Sequence, residues 1–92
     1  MKTEVHITNK ARKQLEKLPR NIQLKFYVWV QFLAELGMAE VRKSKGFHDE
    51  ALKGDRKGQR SIRLNRSYRA IYKEINGSYE LIEVLEVNNH EY

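Results

Sequence analysis

Residues 60–77, Arg60-Ser-Ile-Arg-Leu-Asn-Arg-Ser-Tyr-Arg-Ala-Ile-Tyr-Lys-Glu-Ile-Asn-Gly77, decide the fold. Over 60–65, charged or polar side chains alternate with apolar ones, the period of a half-buried strand. Asn65-Arg-Ser67 supplies turn chemistry, because an Asn side chain accepts hydrogen bonds from the amides that follow it. Residues 68–75 are aromatic and β-branched and read as a second strand. Asn76-Gly77 favours the positive φ of a tight hairpin, so 79–87 is expected to return as a third strand. Alternation puts Arg69 and Ile71 on one face of the second strand, and Tyr68, Ala70 and Tyr72 on the other.

Working outward, residues 3–7 alternate and could add a short strand to these three. Thr8 or Asn9 can cap a helix over 9–17, and Pro19 interrupts it. A second helix follows over 20–36. Its Ile22, Phe26, Trp29, Leu33 and Leu36 are spaced 4, 3, 4, 3, which is one helical face. Val30 and Phe32 widen that stripe, Trp29 reads as core, and Gly37 is a natural stop. Residues 38–59 read as a connection with a short helical turn near 39–43, and so long a connection in a compact domain is usually functional. Residues 88–92 are polar and leave the sheet or extend its end. The fold class is α+β, in the order β-α-α-β-β-β. The helix pair lies on one face of a small antiparallel sheet. The other face is open and is expected to be concave and basic.

Composition bounds what such a domain can do. With 92 residues the chain is long enough for one core, so 1–92 is expected to be a single domain. The hydrophobic fraction of 40% and the single proline are those of a globular chain. No apolar run is long enough to span a membrane. MKTEVHITNKARKQ turns polar too early for a signal peptide, which leaves the cytoplasm as the expected location. Cysteine is absent, which excludes disulfides, thiolate catalysis and thiolate metal sites. Charge is uneven. Between Lys53 and Lys73 eight basic residues face the single acid Asp55, a net +7, while the rest of the chain nets −1. Five glutamates and no Lys or Arg follow Lys73. So concentrated a positive zone suits a polyanion, above all nucleic acid, although a solvated basic face has the same composition.

No P-loop, dinucleotide-binding glycine pattern, HExxH or GxSxG occurs. The residues that could carry chemistry are His48, Asp49, Glu50, Lys53, Arg56, Arg63, Arg69, His90, Glu91 and Tyr92. RNA cleavage without a metal asks for a base to take the 2′-hydroxyl proton. It also asks for cations around the crowded phosphorane and an acid to protonate the departing 5′-oxygen. Glu or His can be the base, His or Tyr the acid. Arginine keeps its charge at any working pH and offers a fork that matches phosphate. Each residue also has a bland reading: Glu50 paired with a nearby lysine, His90 solvated at a chain end. The His and acid spacing matches no metal-ligand pattern, so no metal and no cofactor is expected.

Three stretches carry a family resemblance: Glu50-Ala-Leu-Lys-Gly-Asp-Arg-Lys-Gly58, Arg60-Ser-Ile-Arg-Leu64 and Tyr68-Arg-Ala-Ile-Tyr72. Together they resemble the RelE/ParE superfamily of type II toxins, with the HigB and YoeB branches nearest in pattern. Val87-Asn-Asn-His-Glu-Tyr92 resembles the family's His/Tyr ending, and the resemblance covers nearly the whole chain. It implies an endoribonuclease that cuts mRNA in the ribosomal A site by 2′-hydroxyl attack, leaving a 2′,3′-cyclic phosphate. It also implies a cognate antitoxin that silences the toxin. Glu50, Arg69, His90 and Tyr92 fall on catalytic positions: Glu50 or His90 as base, His90 or Tyr92 as acid, Arg69 as phosphate clamp. Lys53, Arg56 and Arg63 match basic positions that grip phosphate, and Lys57 and Arg60 belong to the same positive zone. In this chain Glu91 separates the His and Tyr that are adjacent in some relatives. The alternative within the superfamily is a ParE-like toxin that binds DNA gyrase and cuts no RNA. A plain nucleic-acid-binding module is a third reading. An antitoxin is expected to be an acidic segment, disordered when free. It would either cover the face around Arg63 and Arg69 or dock on the helix pair and displace the tail.

Overall fold

In the computed structural model, residues 2–77 and 79–89 are described. Strand β1 is Glu4–Ile7, helix α1 Asn9–Glu16, helix α2 Arg20–Leu36 and the single-turn helix α3 Met38–Val41. Four strands follow: β2 Glu50–Ala51, β3 Gln59–Arg63, β4 Tyr68–Glu74 and β5 Leu81–Asn89. Short 3-10 turns at Lys45–Phe47 and Gly54–Arg56 flank β2. The sheet order is β1-β5-β4-β3-β2, with β1 parallel to β5 and the other pairs antiparallel. Among the described residues no helix is long and apolar enough to cross a membrane.

The α+β class and the order of the three long strands are as expected. The connection over 38–59 carries more than the one helical turn anticipated, because β2 pairs with β3 through Glu50–Ser61 and Ala51–Arg60. The hairpin after β4 is also wider than two residues. Asn76 and Gly77 take φ of 60° and 67°, but β5 begins at Leu81, not Tyr79. Thr8 settles the first cap, accepting from the Ala11 amide at 3.1 Å. Asn65 makes the expected turn by accepting from the Ser67 and Tyr68 amides at 2.7 and 2.9 Å.

Ile22, Phe26, Trp29 and Leu33 of α2 are buried against Ile62, Ala70, Tyr72, Ile82, Val84 and Val87 of the sheet. Burying a side chain of this size stabilises the fold by roughly 1.5–3 kcal/mol. Trp29 packs on Tyr72 with ring centroids 5.4 Å apart, in the core role read from its spacing. Leu36 and Phe32 depart from expectation and stay largely exposed. The chain turns away after Leu36, and Met38 and Val41 of α3 are buried in the same core as Leu33.

That turn depends on Gly37. Its φ of 86° and ψ of 161° lie in a region that only glycine occupies freely. A Cβ there would also sit 3.2 Å from Cβ of Lys2, whose amide binds the Ala34 carbonyl. Gly37→Ala should therefore cost about 1–3 kcal/mol. Urea unfolding checks this; an unchanged midpoint would mean that the N-terminal segment yields freely.

Candidate active site on the uncovered sheet face

Strand register sorts the side chains into two faces. Tyr72, Ala70 and Arg60 share the helix-covered face with Ile62 and Val84, whereas Ile71, Arg69, Arg63 and Ser61 point the other way. A β-bulge between Ile71 and Tyr72 shifts β5 by one residue, so Glu86 stands opposite Ile71 and Asn88 opposite Arg69. Two rows result on the uncovered face. One runs Glu50, Ser61, Ile71, Glu86 across four strands, and the next runs Arg63, Arg69, Asn88. By strand geometry Glu50 and Arg69 have Cα atoms roughly 12 Å apart, within reach of one phosphodiester placed between their side chains.

Glu50 lies beside His48, whose Nε2 is 3.7 Å from Oε2. His48 takes a left-handed backbone, φ 47°, which turns the chain from the 3-10 turn into β2. Arg63 is exposed and Arg69 half-buried. Lys53 and Lys57 are exposed in the β2–β3 connection, on either side of Arg56. Arg56 reaches onto the open face, where Nη1 donates to Gln59 Oε1 at 2.9 Å and Nη2 to the Glu86 carboxylate. Thus Glu50, Arg56, Arg63 and Arg69 are brought to one surface, with Lys53 and Lys57 at its margin. His90 and Tyr92, the expected acid or base, lie outside the described residues.

Two features differ from the sequence reading. Arg60 does not share the open face. It lies on the helix-covered face opposite Tyr72, and its Nε donates to Asp49 Oδ1 at 2.6 Å. Asp49 is almost fully buried, its side chain 2% exposed. The Tyr72 hydroxyl donates to its second oxygen, and Arg42 Nε stands 3.8 Å away. Burial, and then the hydrogen bond to Asp49, hold the Tyr72 hydroxyl far above its ordinary pKa. Arg42 goes on to bind Glu74 at 2.6 Å and stacks on Tyr79. This network clamps the segment that ends in Glu50. The second difference is charge. The open face is not uniformly basic, because Glu86 bonds Arg56 and lies 3.3 Å from Lys10, and Lys73 lies 3.7 Å from Glu83. Burial would raise the Glu86 carboxyl, but Arg56 and Lys10 overcome it and hold the group below its ordinary pKa, ionised. Among the described residues no group of three His, Asp or Glu side chains is placed to hold a metal ion.

Glu86 was missed as a functional candidate, and Asp49, counted among the residues that could carry chemistry, is instead a buried partner of Arg60 and Tyr72. Glu86 lies in the acidic run after the positive zone. Arg60, by contrast, carried a readable signal: two residues before the core residue Ile62, it must share that face.

No family model and no curated protein matches the sequence. Solved structures do. YafQ from Escherichia coli strain BL21(DE3) superposes with a TM-score of 0.74 at 13% identity, over 96% of this chain and 93% of its own. A YoeB/ParE toxin from Agrobacterium tumefaciens gives 0.73 at 20%, over 97% and 100%. The archaeal RelE–RelB complex from Pyrococcus horikoshii gives 0.72 at 26%, over 97% and 96%. The helix-backed sheet is thus an architecture shared with these proteins. In fold, the chain is similar to these YafQ, YoeB/ParE and RelE proteins, which supports the RelE/ParE resemblance.

Proposed function

We propose that the chain is the toxin of a type II toxin–antitoxin pair and acts as an endoribonuclease on mRNA in the ribosomal A site. The observation that carries this reading is the row of Arg63 and Arg69, directly opposite one another across β3 and β4, beside Glu50. Like charges paired across strands oppose sheet formation. A dianionic phosphorane between them turns that cost into transition-state binding. Glu50 or His90 takes the 2′-hydroxyl proton, and the freed oxygen attacks phosphorus. Arg69, with Arg63, holds the charge on the non-bridging oxygens. The 5′-oxygen leaves with a proton from His90 or Tyr92, and a 2′,3′-cyclic phosphate remains. No metal or cofactor enters this scheme. Lys53, Arg56 and Lys57 supply sequence-independent grip on the RNA backbone.

The partner that silences it is a cognate antitoxin. Leu24, Tyr27 and Val28 stand exposed along the side of α2 that faces away from the sheet, Leu24 at 55%. Such an apolar stripe suits an amphipathic helix from a segment that folds on binding. Expression alone should arrest growth and leave mRNAs cut within codons, with 2′,3′-cyclic ends. Co-expression with an adjacently encoded antitoxin should relieve the arrest and protect α2 amides from hydrogen exchange. Intact mRNA together with gyrase-dependent DNA breaks would replace this reading with the gyrase-binding one.

A further inference from the structure

Glu86 is an anion in the middle of a surface read as a phosphate site. Its side chain is 14% exposed, and it stands on β5 in the row of Glu50, Ser61 and Ile71. An unpartnered carboxylate there would repel RNA, yet this one is fully engaged. Arg56 bonds one oxygen. Lys10 Nζ is 3.3 Å from the other, which also accepts from Asn88 Nδ2 at 3.2 Å.

Arg56 explains the arrangement. Its guanidinium joins Gln59 on β3 to Glu86 on β5, so it must pass over β4 at Ile71. Ile71 is fully buried although no helix covers its face and it stands apart from the main core. A guanidinium has five N–H donors in a fixed plane, of which two are used here. The side chain remains 38% exposed, so other donors face solvent above the sheet. The 3-10 turn Gly54–Arg56, with Lys53 before it and Lys57 after it, is drawn over the sheet by the same bridge. Gly54 and Gly58 take φ of 65° and 94°, and backbone bonds from the Arg56 and Lys57 amides close the turn locally, while the Arg56 side chain ties it to β5.

We propose that Glu86 is a positioning residue. It fixes the Arg56 guanidinium, and with it Lys53 and Lys57, so that these cations meet a phosphate of the RNA chain already in place. The inference rests on the endoribonuclease reading for its substrate, but not for its geometry. Two measurements separate them. In the free protein, Glu86→Ala should broaden or shift the Arg56 Nε–Hε resonance and speed amide exchange over 52–58. Glu86→Gln, which keeps one acceptor, should do so less. In cleavage of ribosome-bound mRNA, Glu86→Ala and Arg56→Ala should each lower kcat/KM by about tenfold to a hundredfold. The double variant should lose no more than either single one, because both remove the same bridge. Melting curves check that each variant is folded, and Glu86→Gln, being nearly isosteric, keeps the test open if Glu86→Ala is not.

Additive losses in the double variant, or tighter RNA binding and faster cleavage on removing the carboxylate, would overturn the proposal. So would an Arg56 resonance and loop exchange unchanged by either Glu86 substitution. If the parent protein cuts no mRNA, the enzymatic reading fails, and the resonance and exchange data still decide whether Glu86 positions Arg56.

Discussion

Arg69→Ala should leave a folded protein that cells tolerate, with mRNA cleavage reduced by about two to three decades, or roughly 3–4 kcal/mol of transition-state stabilisation. Arg69 sits on the open face opposite Arg63 and Asn88, in the row next to Glu50. Charge builds on the non-bridging oxygens only as the 2′-oxygen attacks. A guanidinium aimed there therefore binds the transition state more tightly than the ground state, and its loss falls on kcat more than on KM. Arg69→Lys keeps the charge but loses the planar fork, so it should fall between parent and alanine variant. Single-turnover cleavage of programmed ribosomes measures this, with circular dichroism to verify the fold. Undiminished arrest by Arg69→Ala would remove Arg69 from the chemistry and with it the proposed site.

The largest loss of stability is expected at Asp49. Removing this carboxylate takes from Arg60 its carboxylate partner, from the buried Tyr72 hydroxyl its carboxylate acceptor, and from Arg42 one of two carboxylates. Breaking a buried ion pair from one side typically costs about 3–5 kcal/mol. In a domain of this size that lowers the melting temperature by at least about 12 °C. Asp49→Asn retains an acceptor and a near-native shape and should lose less. Because Asp49 precedes Glu50, the folded fraction of Asp49→Ala should also cut RNA poorly. A melting temperature within about 2 °C of the parent would show that the two arginines find other partners at little cost, against the usual penalty for an orphaned buried charge.

Much of the fold was legible because its signals are local. Alternation marks β3 and β4, Asn65 makes its own turn, and the 4, 3, 4, 3 spacing marks the buried face of α2. Strand β2 left no such mark. Glu50-Ala51 has no β propensity and is a strand only because Ser61 and Arg60 lie opposite it. Exposure at Leu36 was hidden for a similar reason, since period alone does not say where the sheet beneath a helix ends. The candidate site was legible in composition, not in arrangement. A run of basic residues says nothing of parity until the strand is fixed, so Arg60 and Arg63 looked alike. Asp49 became a buried hub only through Arg42 and Arg60, and Glu86 reached the cationic loop only through a fold that joins positions 30 residues apart.

The placing of β5 between β1 and β4 bears on how the protein comes into being. This strand follows the other four in the chain, yet it is the one that joins β1 to the rest. A nascent polypeptide still lacking it holds a lone strand with three helices, and a separate three-strand piece, with no sheet common to both. Pairings of such long sequence separation form late. The row that contains Arg69 is completed by Asn88, so the surface that would grip RNA is assembled only once β5 has docked between β1 and β4. Under the endoribonuclease reading, a chain stopped short of β5 holds Arg63 and Arg69 without the finished surface around them, and is expected not to cut RNA.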